Sequence, residues 1–101
     1  MTFAVSDAAR EDLAKAIRFY DSKPGRYVAR EFARAAKAIA ANPRQYSPVD
    51  DDIPGLEVRE FFIERFEQRV IYLVSENRVL VVAVVHVSRR WGSWHRQLES
   101  E

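Results

Sequence analysis

His86, Ser88, Arg89, Arg90, His95 and Arg96 fall within eleven positions of one another, with Trp91 and Trp94 set among them. An imidazole exchanges a proton near neutral pH and can serve as general acid or base. A guanidinium is a planar, two-pronged donor suited to phosphate or carboxylate. Tryptophans interleaved with cations offer faces on which bases or a partner's side chains stack. The cluster therefore describes a binding rim for something anionic or flat. His86, Arg89, Arg90, Trp91, Trp94 and Arg96 are its target-contact candidates. The plainer alternatives are a histidine bonded to a backbone carbonyl and a tryptophan pair that folds the tail back over the domain.

A second set of arginines lies upstream, in segments with strand character. A guanidinium in a strand must reach solvent or find a partner, because burying it alone is prohibitive. Arg59 and Arg69 can pair with carboxylate neighbours such as Glu57 or Glu60, or they can converge with Arg90 on an open sheet face and clamp phosphate. Ribonuclease chemistry would need a base for a 2′-hydroxyl, an acid for the leaving oxygen and a cation for the phosphorane. Glu57 or Glu60, His86 and Arg59, Arg69 or Arg90 fill those roles on paper. The second half of the chain holds no lysine and no tyrosine after Tyr72, so this set is sparse.

The element that must carry the rim is legible. Arg69 to Ser75 alternates, with Val70, Tyr72 and Val74 on one face and Arg69, Ile71, Leu73 and Ser75 on the other. Glu76-Asn77 then turns the chain. Val79 to Val87 is almost wholly β-branched and apolar, which suits a central strand covered on both faces. Upstream, Leu56 to about Glu64 reads as a strand with Arg59, Phe61 and Ile63 on one face, and Arg65 to Gln68 turns it. Residues 43 to 55, with three prolines and Asp50-Asp51-Asp52, read as an irregular loop.

Two helices precede this sheet. Ser6 or Asp7 is a plausible N-cap, and Ala9, Leu13, Ala16, Ile17 and Tyr20 share a face. Asp21 to Gly25 breaks that helix. A second runs from about Arg26 to Ala41 with Val28, Phe32, Ala35 and Ile39 inward and Arg30, Arg34 and Lys37 on the opposite side. Asn42-Pro43 ends it. Thr2 to Val5 makes a short first strand. The order strand, helix, helix, strand, strand, strand predicts an α+β domain over residues 1–101: a two-helix hairpin on one face of a largely antiparallel sheet. The other face is left for a partner.

Composition narrows the functions. At 101 residues and 48% hydrophobic content, one compact domain is expected. The absence of cysteine excludes disulfides and thiolate metal sites. The two histidines have no Asp or Glu between them, so neither a metal nor a cofactor is expected. With a net charge of +1, any attraction to nucleic acid must come from local clusters. No leader segment is visible, and the longest apolar run is far short of a membrane span. A cytoplasmic protein with no membrane partner is the expectation.

The chain resembles the RelE/ParE superfamily of toxins from bacterial type II toxin–antitoxin pairs. The likeness rests on Ala9, Asp12 and Leu13, then Ile17 and Tyr20, and on Ala29, Phe32 and Ile39 leading to Asn42-Pro43. It continues through Arg59, the run Arg69-Val-Ile-Tyr72, and Val84-Val-His-Val-Ser-Arg-Arg90. RelE-like members cut messenger RNA on the ribosome, whereas ParE-like members inhibit DNA gyrase without nuclease activity. The Val-x-His-x-x-Arg ending resembles the ParE branch, and the lysine-rich strand and late tyrosine of the RelE branch are missing. The resemblance implies a gyrase-directed toxin, silenced by a cognate ParD-like or other antitoxin that covers Arg30, Arg34, Lys37 and Arg59. The alternatives are a RelE/YoeB-like endonuclease using Glu57, Arg59, Arg69, His86 and Arg90, and a non-toxic binding module.

Overall fold

The computed structural model describes residues 2–20, 22–49 and 54–88. Its elements are β1 (Thr2–Val5), α1 (Asp7–Tyr20), α2 (Ser22–Ala41), β2 (Glu57–Ile63), a 3-10 turn (Glu64–Phe66), β3 (Gln68–Ser75) and β4 (Arg78–His86). The four strands form one sheet in the order β1-β4-β3-β2. β2, β3 and β4 are antiparallel neighbours, and β1 lies parallel to β4. The α+β architecture expected from the order of elements is the one observed.

Each boundary has a local cause. Ser6, rather than Asp7, caps α1: its Oγ accepts the Ala9 N–H at 3.1 Å. The second helix starts at Ser22, four residues earlier than the sequence suggested. Pro24 then falls in the first turn, where a missing N–H leaves no helical bond unmade. The break between helices is correspondingly narrow.

β4 sits between β1 and β3, as its apolar run requires. Val79, Val81, Val82 and Ala83 are fully buried. A bulge displaces the register: Ile71 stands opposite Ala83 while Tyr72 stands opposite Val81, leaving Val82 as the extra residue. Val79, Val81 and Val84 consequently join Val70, Tyr72 and Val74 in the core beneath α1 and α2. Leu80, Val82, Ala83 and Val85 join Ile71, Val58 and Val49 on the other side. That second face is therefore buried rather than left open as expected. Val87 also departs from expectation, since it lies beyond β4 and is exposed. β1 ends opposite Val81, so the parallel ladder stops short of Val84. The Asp12 carboxylate, on α1, accepts the Val84 N–H at 3.0 Å instead.

Tyr72 fastens the connection after α2 to the sheet. Its ring is fully buried and its hydroxyl donates to the Pro43 carbonyl at 2.7 Å. Burial pushes the phenol up to about 12 from its ordinary value of 10.0. Between those values the unfolded chain releases a proton that the fold retains, so this residue's contribution to stability falls as pH rises through the window. Tyr72→Phe leaves the buried carbonyl without its donor and should cost roughly 1–3 kcal/mol at neutral pH. It should also weaken the alkaline decline in stability. Urea unfolding of both proteins near neutrality and near pH ~11 checks both expectations.

Candidate functional site

β4 delivers His86 to the end of the sheet, opposite Gln68. The His86 Nδ1 receives the Ser88 backbone N–H at 3.0 Å and stands 2.8 Å from the Ser88 hydroxyl. The neutral ring therefore carries its proton on Nε2, which is directed at the Glu67 carboxylate 3.9 Å away. Glu67 reaches that position because it leaves the 3-10 turn in the left-handed region, at φ 51°. For a residue with a side chain this conformation costs on the order of 1 kcal/mol. Its backbone compensates by donating to the Glu64 carbonyl and accepting the Val87 N–H at 2.9 Å. A cleft of about 380 Å³ adjoins the imidazole, walled by Asp12, Ala16 and Phe19 of α1 and by Val84 and Ser88. Phe19 stands 81% exposed at its mouth. Arg89, Arg90, Trp91, Trp94, His95 and Arg96 lie outside the described residues, as do Asp50, Asp51 and Asp52.

The upstream arginines are paired with acids. Arg59 donates through Nε to Glu57 at 2.9 Å and through Nη1 to the Tyr46 carbonyl at 2.6 Å. Arg44 reaches the same carboxylate at 3.1 Å. The Arg59 hydrogen bond, with help from Arg44 and against the effect of burial, holds the Glu57 carboxyl below its usual range. Arg69 donates to Glu60 at 3.2 Å. The two arginines do not converge on one face. Arg59 stands opposite Tyr72, beneath the helices, whereas Arg69 stands opposite Phe62 on the other side. The strand period of two separates them, so a shared phosphate clamp is ruled out by register.

The same register disperses the acid–base candidates. Glu57 is opposite Val74 and His86 is opposite Gln68, at the two ends of β3. Six residues at ~3.3 Å each put them about 20 Å apart along the sheet. They cannot act on one scissile bond as a pair. The acid that does approach His86 is Glu67, which the sequence reading placed only in a turn. Among the described residues no group of three or more His, Asp or Glu side chains is arranged to hold a metal ion.

A third feature runs along α2, where Arg30, Arg34 and Lys37 are all exposed. Arg30 lies over the Tyr27 ring at 5.7 Å, and Arg34 makes a surface pair with Glu31 at 3.7 Å. Beside them, Ala33, Ala36 and Ala40 form a shallow groove of about 690 Å³ closed by Phe3 of β1. Arg59 is not part of this ridge, being tied to Glu57 and Tyr46 at the start of β2.

Arg59→Ala should release the 43–46 connection from β2 and cost roughly 1–3 kcal/mol at neutral pH. Because the folded Glu57 carboxyl lies below its ordinary value, its contribution is present above that value and fades as pH falls through the lower, folded one. The stability gap between wild type and Arg59→Ala should therefore narrow below pH ~4. Denaturant unfolding at neutral and acid pH measures it. A gap that widens in acid would contradict the pairing.

Comparison with known proteins places these features in a family. No curated protein matches the sequence. A solved structure described as "Chromosomal ParDE TA system from P. aeruginosa" shares the fold with a TM-score of 0.72, at 15% identity, over 87% of this chain and 97% of that one. The family model for the ParE toxin of the type II toxin–antitoxin system parDE matches residues 3–91, from the first strand to just past the β4 rim. The chain belongs to the ParE toxin family of type II toxin–antitoxin systems.

Proposed function

We propose that this chain arrests growth by binding DNA gyrase and is neutralised by a cognate antitoxin. Its family membership over residues 3–91 carries this reading. The separation of Glu57 from His86 supports it, because those two ribonuclease candidates stand at opposite ends of β3. The target-contact surface is His86 at the end of β4 together with Arg89, Arg90, Trp91, Trp94 and Arg96, which follow it in sequence. Aromatic and arginine anchors of this kind dominate interface energies, at about 2 kcal/mol or more for each large truncation. The setting is the cytoplasm, where gyrase works, and among the described residues no helix is long and apolar enough to cross a membrane.

The antitoxin is expected to lay an acidic amphipathic segment along α2. Its carboxylates would meet Arg30, Arg34 and Lys37, and its apolar side would enter the groove between Phe3 and the α2 alanines. Arg59, the fourth candidate, is held by Glu57 and the Tyr46 carbonyl on the opposite edge strand and would join only if the segment continued across the sheet. Replacing Arg30, Arg34 and Lys37 together by alanine should weaken antitoxin binding roughly tenfold, since three exposed pairs at about 0.5 kcal/mol each amount to about one decade. Calorimetric titration with the product of the adjacent gene reads this change.

Inducible expression with and without that gene tests toxicity. Gyrase supercoiling set beside ribosome-dependent messenger cleavage tests the target. Arg90→Ala, Trp94→Ala or truncation after Ser88 should relieve both growth arrest and supercoiling inhibition while the fold persists. His86→Gln should matter less, because binding needs no proton transfer. Messenger cleavage that His86→Gln abolishes, with supercoiling untouched, would replace this reading with the endonuclease. Unchanged growth in several hosts would leave a non-toxic binding module.

A further inference from the structure

β2 is an edge strand, and only half of its outer edge is covered within the described residues. The Val49 N–H donates to the Val58 carbonyl at 3.0 Å, and the Glu60 N–H donates to the Ser47 carbonyl at 2.9 Å. Val58 and Glu60 thus direct their backbone groups away from β3, and by the strand period of two Phe62 does the same. The covering segment ends there: Pro48 pairs with Arg59, and the chain leaves past Tyr46, whose ring meets Phe61 edge-on at 4.8 Å. Phe62 has no backbone partner on its outer side among the described residues, and its side chain is 48% exposed. A long exposed edge carrying an apolar side chain is what soluble proteins ordinarily cover, charge or twist away.

Beside this edge lies a cleft of about 420 Å³ between α2 and the end of β2, floored by Ala35, Phe61 and Ile63. Its rim carries two acids and two bases, Glu31 and Glu64 against Arg34 and Arg65. A strongly acidic or basic partner would meet repulsion from half of these. A second copy carries the same mixed rim, and a two-fold axis allows each base of one copy to meet an acid of the other.

We propose that the free half of β2 is a self-association edge, on which a second copy of this chain adds its own β2 antiparallel about a two-fold axis at Phe62. The two Phe62 residues exchange reciprocal N–H···O=C bonds, and their rings pack together on the face away from the helices. Phe61 of each copy comes beside Ile63 of the other, closing the two clefts. Arg34 and Arg65 face the second copy's Glu31 and Glu64. The contact is short, which makes it a reversible association rather than an obligate dimer. It leaves the β4 rim free and shares only Arg34 with the α2 ridge, so it goes beyond the gyrase and antitoxin readings.

Sedimentation of the purified full chain, made by cell-free synthesis, reads the outcome. The expected result is a monomer–dimer equilibrium that responds to concentration across the micromolar range. Phe62→Glu should shift it to monomer by tenfold or more in Kd, with circular dichroism and melting unchanged, as befits a half-exposed site. Glu31→Arg and Arg34→Glu should each weaken self-association, and mixing the two should restore a mixed dimer. A chain that is monomeric at every concentration overturns the proposal, as does a dimer indifferent to Phe62→Glu. If the Phe62 amide gains protection from exchange only when the adjacent gene's product is added, the edge belongs to that partner and the proposal also fails.

Discussion

The structure depends on β4 being buried on both faces. Val79, Val81, Val82 and Ala83 have no exposed surface, and burying a valine fully is worth about 1.5–3 kcal/mol. A strand with two apolar faces needs a layer on each side and a neighbour on each edge. β3 and β1 supply the neighbours, and the α1–α2 hairpin supplies one layer. The parallel pairing of β1 follows directly, since it fills the edge of β4 that the hairpin with β3 leaves open. Where β1 runs out, Asp12 on α1 takes over a single hydrogen bond. The end of β4 is therefore held rigidly, and His86 is presented from a fixed base rather than from a loop.

The polar groups distribute around that core by strand parity. Arg59 and Arg69 are separated by the sheet, and each has a carboxylate within hydrogen-bond reach. Their pairing serves the fold: Arg59 ties the 43–46 connection to β2, and Tyr72 does so from beneath. The rim differs in kind. There the chain accepts a left-handed Glu67, a backbone conformation that packing alone does not call for. Local departures from good packing and relaxed backbone tend to collect where a surface is kept for another molecule.

Much of the fold was legible because its signals are strong and local. The alternation in β3, the unbroken run in β4 and the α1 cap required no tertiary information. The start of α2 was misplaced because Pro24-Gly25 punctuates most chains, yet proline is harmless in a first turn. The burial of the second sheet face was missed for a different reason. The two-sided apolarity of Leu80, Val82 and Ala83 signals cover at β4 alone; its extension to β2 rests on the bulge and the approach of Val49, tertiary events that no period reveals. At the site, His86 and its place at the strand end could be read directly. Glu67 could not, because its approach to His86 depends on a positive φ in a 3-10 turn. Parity did hold the information that Arg59 and Arg69 diverge, once β2 and β3 were paired in register.

The proposed role at gyrase is tested most directly by titrating the purified, folded chain into DNA gyrase and measuring the heat of association. A surface built to bind predicts a saturable complex of fixed stoichiometry that forms without messenger RNA or ribosomes. Antitoxin added in excess should prevent it. A chain whose fold is verified by circular dichroism but which gives no binding heat with gyrase, over concentrations at which it arrests growth, would contradict that role.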